Sequence, residues 1–204
     1  MVLKPTNTNI VGCKWVYKVK RDNKGEVSRY KARLVAQGFT QVPRVDYIDT
    51  FAPVAKFSTL RVLLTLAATY NWEIHQMDVK NAYLNEKLTE TIFMKQPLNF
   101  IDAEKPLHVC RLMCSLYGLR QSGRMWYQTL TNTFKALNFD VCAVDHAVFV
   151  SCDVDGRVIV AASTNDLLMI SESMEWLEKV KRGLEKHFEM TDLGEAHWFL
   201  GVEI

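Results

Sequence analysis

Hydrophobic positions along this chain change their period several times, and each change marks an element. Over residues 13–20 they alternate, with Trp15, Tyr17 and Val19 on one side and Lys14, Lys18 and Lys20 on the other. A strand with two unlike faces requires that pattern. Asp22-Asn23-Lys24-Gly25 predicts a turn, and residues 27–35 the returning strand, on which Arg29, Lys31 and Arg33 share one face. Residues 38–55 carry Pro43 and Pro53 with little period and predict a loop crossing. Ser58 is then expected to cap a helix whose run of Leu60, Val62, Leu63, Leu64, Leu66, Ala67 and Ala68 reads as buried on most sides. Residues 72–77 predict a short strand that delivers Asp78 where the chain turns toward a helix.

Beyond it, residues 92–95 and 109–112 predict two short strands, the first ended by Pro97. Residues 121–137 have helical spacing, with Met125, Trp126, Leu130, Phe134 and Leu137 inward and Arg120 and Arg124 on one face. Residues 147–150 and 158–162 read as strands around the turn Asp153-Val154-Asp155-Gly156. Two apolar runs next flank Ser163-Thr164-Asn165-Asp166, the pattern of a hairpin presenting its tip to a cleft. Ser173 is expected to cap a last amphipathic helix carrying Trp176, Leu177, Val180, Leu184 and Phe188, and residues 199–204 predict a final strand. This order of helices and antiparallel hairpins argues against a doubly wound nucleotide fold. The chain has no internal repeat and no glycine-rich phosphate loop.

Composition narrows the class without naming it. The 204 residues (23.5 kDa), 49% hydrophobic and 24% charged, suit one soluble globular domain or two small ones. No stretch reaches the ~20 apolar residues of a membrane span, and the N-terminus lacks the apolar run of a secretory signal. An intracellular, cytoplasmic protein without a membrane partner is expected. The 5 Cys are irregularly spaced, which predicts free thiols, and His108, Cys110 and Cys114 fit no usual zinc pattern. The net charge of +2 conceals a division: nine basic residues against two acids over residues 14–44, and eight acids against four Lys or Arg from Glu172 onward. The basic hairpin reads either as a solvated face or as a flap that grips phosphates while its aromatic side packs. Taken alone, Asp78 reads first as a helix cap. Facing Asp166 across a cleft, it becomes half of a carboxylate pair suited to a divalent metal.

The motifs are more specific than the composition. Tyr30-Lys31-Ala32-Arg33-Leu34-Val35-Ala36-Gln37-Gly38-Phe39, Phe51-Ala52-Pro53-Val54 and Gln76-Met77-Asp78-Val79-Lys80-Asn81-Ala82-Tyr83-Leu84-Asn85 are followed by Ser115-Leu116-Tyr117-Gly118-Leu119-Arg120-Gln121. Trp126-Tyr127, Asp145-His146, Leu193-Gly194-Glu195 and Phe199-Leu200-Gly201 complete the series. In these motifs and their order the chain resembles the reverse transcriptase domain of Ty1/copia-type retrotransposon Pol polyproteins. The resemblance implies an α+β right-hand fold, with fingers in a basic hairpin at about residues 12–38. It also implies a palm at about residues 72–204, an antiparallel sheet backed by helices. It implies RNA-directed DNA polymerisation, with an RNA template, a DNA primer, deoxynucleoside triphosphates and two Mg²⁺ ions. Asp78 matches the first catalytic carboxylate, Lys31 and Arg33 the residues that meet the triphosphate, and Gln121 the residue beside the nucleotide. Tyr83 matches the aromatic that excludes a 2′-hydroxyl. Arg29, Arg120 and Arg124 are expected on nucleic acid.

One motif departs from the pattern. The family carries Tyr, a hydrophobic residue, Asp and Asp where this chain has Ser163-Thr164-Asn165-Asp166. Asn165 occupies the direct metal-ligand position and Asp166 the peripheral acid, so Asp78 and Asp166 remain as metal carboxylates. Glu86 replaces a glycine after the first carboxylate motif. An amide keeps a carbonyl oxygen but removes the charge that holds two cations together. Impaired catalysis is therefore expected, as is the absence of a thumb, with a catalytically inactive nucleic-acid-binding remnant as the alternative.

Overall fold

A long antiparallel hairpin opens the computed structural model, which describes residues 1–21, 24–153 and 156–204. Asp22-Asn23 and Val154-Asp155, parts of the two predicted turns, lie outside the described residues. Strands β1 (Val2–Leu3), β2 (Ile10–Arg21) and β3 (Val27–Gln37) precede helix α1 (Phe57–Tyr70) and β4 (Glu73–Val79). β5 (Phe93–Met94) and β6 (His108–Arg111) lead to α2 (Ser122–Ala136). Then come β7 (Asp140–Val141), β8 (Val148–Asp153), β9 (Gly156–Ser163), β10 (Asp166–Ser171), α3 (Met174–Glu185), β11 (Met190–Glu195), β12 (Trp198–Phe199) and β13 (Val202–Glu203). The fold is α+β, and the chain divides into one unit of Met1–Phe51 with Tyr83–Met125 and another of Ala52–Ala82 with Trp126–Ile204.

The first unit is built on a mixed sheet in the order β1-β6-β5-β2-β3, in which β2 and β5 run parallel. Its core is Val11, Ala36, Ile92, Met94 and Leu119. The β2–β3 ribbon outgrows that core, because β5 pairs only with Ile10 and Val11 while β2 continues to Arg21. The expected packing of the hairpin's aromatic side is therefore confined to its base. Trp15 meets Phe100 at 5.3 Å between ring centroids, whereas Tyr17 and Tyr30 are 73% and 77% exposed.

The second unit is an antiparallel sheet in the order β11-β4-β10-β9-β8-β7. Leu167, Leu168, Met169 and Ile170 of central β10 are buried on both sides, which explains their unbroken apolar run. On one face, α1 covers Ile74, Leu168 and Ile170 through Leu60, Leu63 and Ala67. On the other, α3 packs against β9, β10 and β11, and its buried Lys181 reaches His75 Nδ1 (2.9 Å), Asp192 Oδ2 (2.8 Å) and Glu178 Oε1 (3.1 Å).

Three local expectations need correction. Ser58, expected to cap α1, lies inside its first turn, because α1 begins at Phe57 with Lys56 in the N-cap position. Buried Asp145 anchors that entry by accepting the Lys56 N–H at 2.9 Å, a long-range substitute for a local cap. The strand expected over 199–204 is the two-stranded β12–β13 hairpin, reversed by Leu200 and Gly201 at φ of 50° and 83°. Asp78 lies within β4 rather than beyond its end.

Candidate active site

Register brings the two predicted carboxylates together. β4 and β10 are antiparallel neighbours in which Asp78 stands directly opposite Asp166, so both side chains leave the same face of the sheet. The β9–β10 turn beside them is tight: Ser163 pairs with Asp166, leaving Thr164 and Asn165 as the loop. Thr164 sits at φ 56°, a costly backbone state for a β-branched residue, and two hydrogen bonds fix the loop around it. Trp126 Nε1 donates to Thr164 O, and Val79 N donates to Asn165 O at 2.8 Å.

Electrostatics at the pair favour a cation. Burial, and then the neighbouring charge of Asp78, push the Asp166 carboxyl above the usual carboxylate range, against a hydrogen bond from Gln76. Asn165 Nδ2 donates to Asp78 Oδ1, so the amide occupies one face of the carboxylate it adjoins. Among the described residues no group of three His, Cys, Asp or Glu gathers to hold a metal. Two facing carboxylates are oxygen donors of the kind a hard divalent cation takes, and the neutral amide beside them adds no charge.

The remaining predicted residues lie in the other unit. Arg29, Lys31 and Arg33 line one face of β3, where Lys20 opposes Arg29, Lys18 opposes Lys31, and Val16 opposes Arg33. The Arg33 guanidinium lies over the Tyr117 ring, 6.0 Å from its centroid, and Tyr117 meets Tyr83 at 5.2 Å. Tyr117 thus joins two predicted nucleotide residues, although the sequence reading gave it no role. The available signal was its place immediately before Gly118, whose φ of +95° fixes the backbone there. Gln121 is buried, its Oε1 accepting from Gln41 Nε2 (3.0 Å) and its Nε2 donating to Asp46 O (2.9 Å). Arg120 is exposed beside a cleft of about 500 Å³ that Lys14, Phe39 and Gly118 also line, and its Nε donates to Gly38 O at 3.2 Å. Arg124 pairs with Asp49 at 3.1 Å.

With this geometry in place, comparison with known proteins is decisive. The profile of the family described as "Reverse transcriptase (RNA-dependent DNA polymerase)" matches residues 1–204. This chain belongs to the reverse transcriptase family of Ty1/copia-type Pol polyproteins. It is 38% identical over 199 residues to the retrovirus-related Pol polyprotein from transposon RE1 of Arabidopsis thaliana, covering 98% of this chain and 14% of that protein. The corresponding polyprotein from transposon TNT 1-94 of Nicotiana tabacum is 38% identical over 201 residues, 98% of this chain and 15% of that one. A more distant relative, the Transposon Ty1-ER2 Gag-Pol polyprotein of Saccharomyces cerevisiae, is 28% identical over 96% of this chain and 11% of its own length. The reverse transcriptase chain thus spans about one seventh of the length of its plant relatives.

Proposed function

We propose that this chain is the catalytic region of a retrotransposon RNA-directed DNA polymerase whose metal centre is weakened at Asn165. The observation that carries the reading is the direct opposition of Asp78 and Asp166, with the Asn165 amide bonded to Asp78. In the right-hand description, the β2–β3 hairpin is the fingers and the six-stranded sheet the palm. Asp78 and Asp166 would hold Mg²⁺. Bound there, Mg²⁺ would supply Lewis-acid stabilisation of the charge on the attacking and leaving oxygens of phosphoryl transfer. Lys31 and Arg33 attract the triphosphate, and Tyr83 stands against a 2′-hydroxyl. Gln121 serves from within the fold, holding residues 41–46 through Gln41 and Asp46. Arg29, Arg120 and Arg124 meet the phosphates of the RNA template and DNA primer.

A second reading, binding without chemistry, draws on the same Asn165 contact: an amide donates to Asp78 where an added carboxylate would have drawn cations. Single-nucleotide incorporation on a saturating primer–template separates the two. The polymerase reading expects slow extension that Asp78→Asn abolishes. Binding of the primer–template with no extension, in Mg²⁺ or in the more permissive Mn²⁺, leaves the binding reading standing.

A further inference from the structure

Tyr117 is 53% exposed, yet its position is closely determined. Its carbonyl accepts the Ala36 N–H at 2.8 Å, tying it to the end of β3. Gly118 follows at φ +95°, and a Cβ added there would lie 2.1 Å from Ala36 O. The backbone behind Tyr117 therefore has little freedom to shift or accept another residue. From this anchored point the ring meets Arg33 on its face, 6.0 Å from centroid to guanidinium carbon, and Tyr83 at a tilt of 57°. An aromatic ring attracts a cation over its negative face and a second ring in a tilted approach, so one side chain satisfies both neighbours at once. Arg33 comes from β3 and Tyr83 from the 3₁₀ turn Ala82–Asn85, and Tyr117 links them.

We propose that Tyr117 is a positioning residue that couples Arg33 to Tyr83, so that grip on a triphosphate and rejection of a ribose hydroxyl are set together. This rests on the nucleotide reading of Arg33 and Tyr83 given above. Tyr117 need not touch the nucleotide. By limiting the rotamers of Tyr83 it fixes where that ring stands, and by holding the guanidinium it reduces the freedom Arg33 loses when it meets phosphate.

The test has two arms, both on the full chain. In the first, urea unfolding of Tyr117→Leu, Arg33→Gln, Tyr83→Leu and the two double variants that include Tyr117→Leu gives the coupling without any ligand. A coupling of about 2–5-fold in the unfolding constant is expected for each pair, the scale of one exposed ring contact. In the second, calorimetric titration with dATP and ATP in MgCl₂ measures affinity and its deoxy-to-ribo ratio. Tyr117→Leu should weaken dATP by about 2–5-fold and move the ratio toward unity, while Tyr117→Phe keeps both. In the Tyr83→Leu background, Tyr117→Leu should leave the ratio unchanged. Absent coupling in the first arm overturns the proposal, as does dATP binding whose ratio Tyr117→Leu leaves intact. If the unmodified chain binds neither nucleotide, the nucleotide reading itself fails and this role of Tyr117 falls with it.

Discussion

Replacing Lys18 and Lys20 by threonine should weaken nucleic-acid binding and strengthen the fold at the same time. The structure sets both signs. One face of the β2–β3 ribbon carries Lys14, Lys18, Lys20, Arg29, Lys31 and Arg33, and within it Lys18 stands directly opposite Lys31 and Lys20 opposite Arg29. Like charges directly opposed on a sheet destabilise it by roughly 0.2–1 kcal/mol per pair. Removing both pairs should therefore raise stability by roughly 0.4–2 kcal/mol, and threonine suits an exposed strand. A bound polyanion reverses the sign of the charge term, because each phosphate contact releases counterions. If each side chain meets one phosphate, the salt slope of log K should become shallower by about 1.4 for single strands and about 1.8 for duplex. Fluorescence anisotropy over a salt series, with unrelated RNA and DNA sequences, reads the slope, and urea unfolding reads the stability. Unchanged slopes would refute the hairpin as the grip. Weaker binding accompanied by lower stability would refute the charge argument, since it would point to damage of the ribbon itself.

Other residues allow equally definite tests. Gly118→Ala combines a φ of +95° with a Cβ 2.1 Å from Ala36 O and should cost about 1–3 kcal/mol in urea unfolding. The Asp166 carboxyl is raised in the folded chain, so its stability contribution is present below the ordinary carboxylate range and lost as pH rises through the raised value. Asp166→Asn should therefore raise the urea midpoint at neutral pH, with the advantage vanishing in acid. Asp145 behaves oppositely: burial would raise its carboxyl, but hydrogen bonds from Lys56 N–H, Thr59 and Ala147 N–H hold it low. Its stabilisation is present above the ordinary carboxylate range and lost as pH falls through the lowered value, so Asp145→Asn should flatten the acid limb of a stability–pH curve.

Much of the fold was legible because its determinants are local. Alternation over residues 13–20 marked β2, and the apolar run before and after Ser163–Asp166 marked β9 and β10. The pairing of Asp78 with Asp166 followed from two motifs and one hairpin tip. What escaped depends on distant partners. β11 has no clean period because it is an edge strand with an irregularity between Asp192 and Gly194. Asp145 anchors α1 from some 89 positions away in sequence, which no local capping pattern contains. The Lys181 cluster draws on α3, β4 and β11, so an apolar helical stripe hid a buried cation. Tyr117 and the buried amide of Gln121 were visible as motif letters, but their roles depend on Arg33, Tyr83, Gln41 and Asp46, which only the folded chain brings near.

The central claim is that Asn165 weakens a metal centre otherwise prepared by Asp78 and Asp166, and primer extension by Asn165→Asp tests it most directly. The substitution exchanges an amide that donates to Asp78 for a third carboxylate on the same turn. Loss of one positioned charge-stabilising group in other enzymes costs about 10²–10³-fold in rate, and that sets the scale of the gain. Single-nucleotide incorporation should be measured with saturating primer–template in Mg²⁺ and in Mn²⁺, for the unmodified chain, Asn165→Asp, Asp78→Asn and the double variant. The account predicts slow incorporation by the unmodified chain, a large gain for Asn165→Asp, and loss of that gain when Asp78→Asn is added. Robust incorporation by the unmodified chain that Asp78→Asn abolishes, with no improvement from Asn165→Asp, would contradict it.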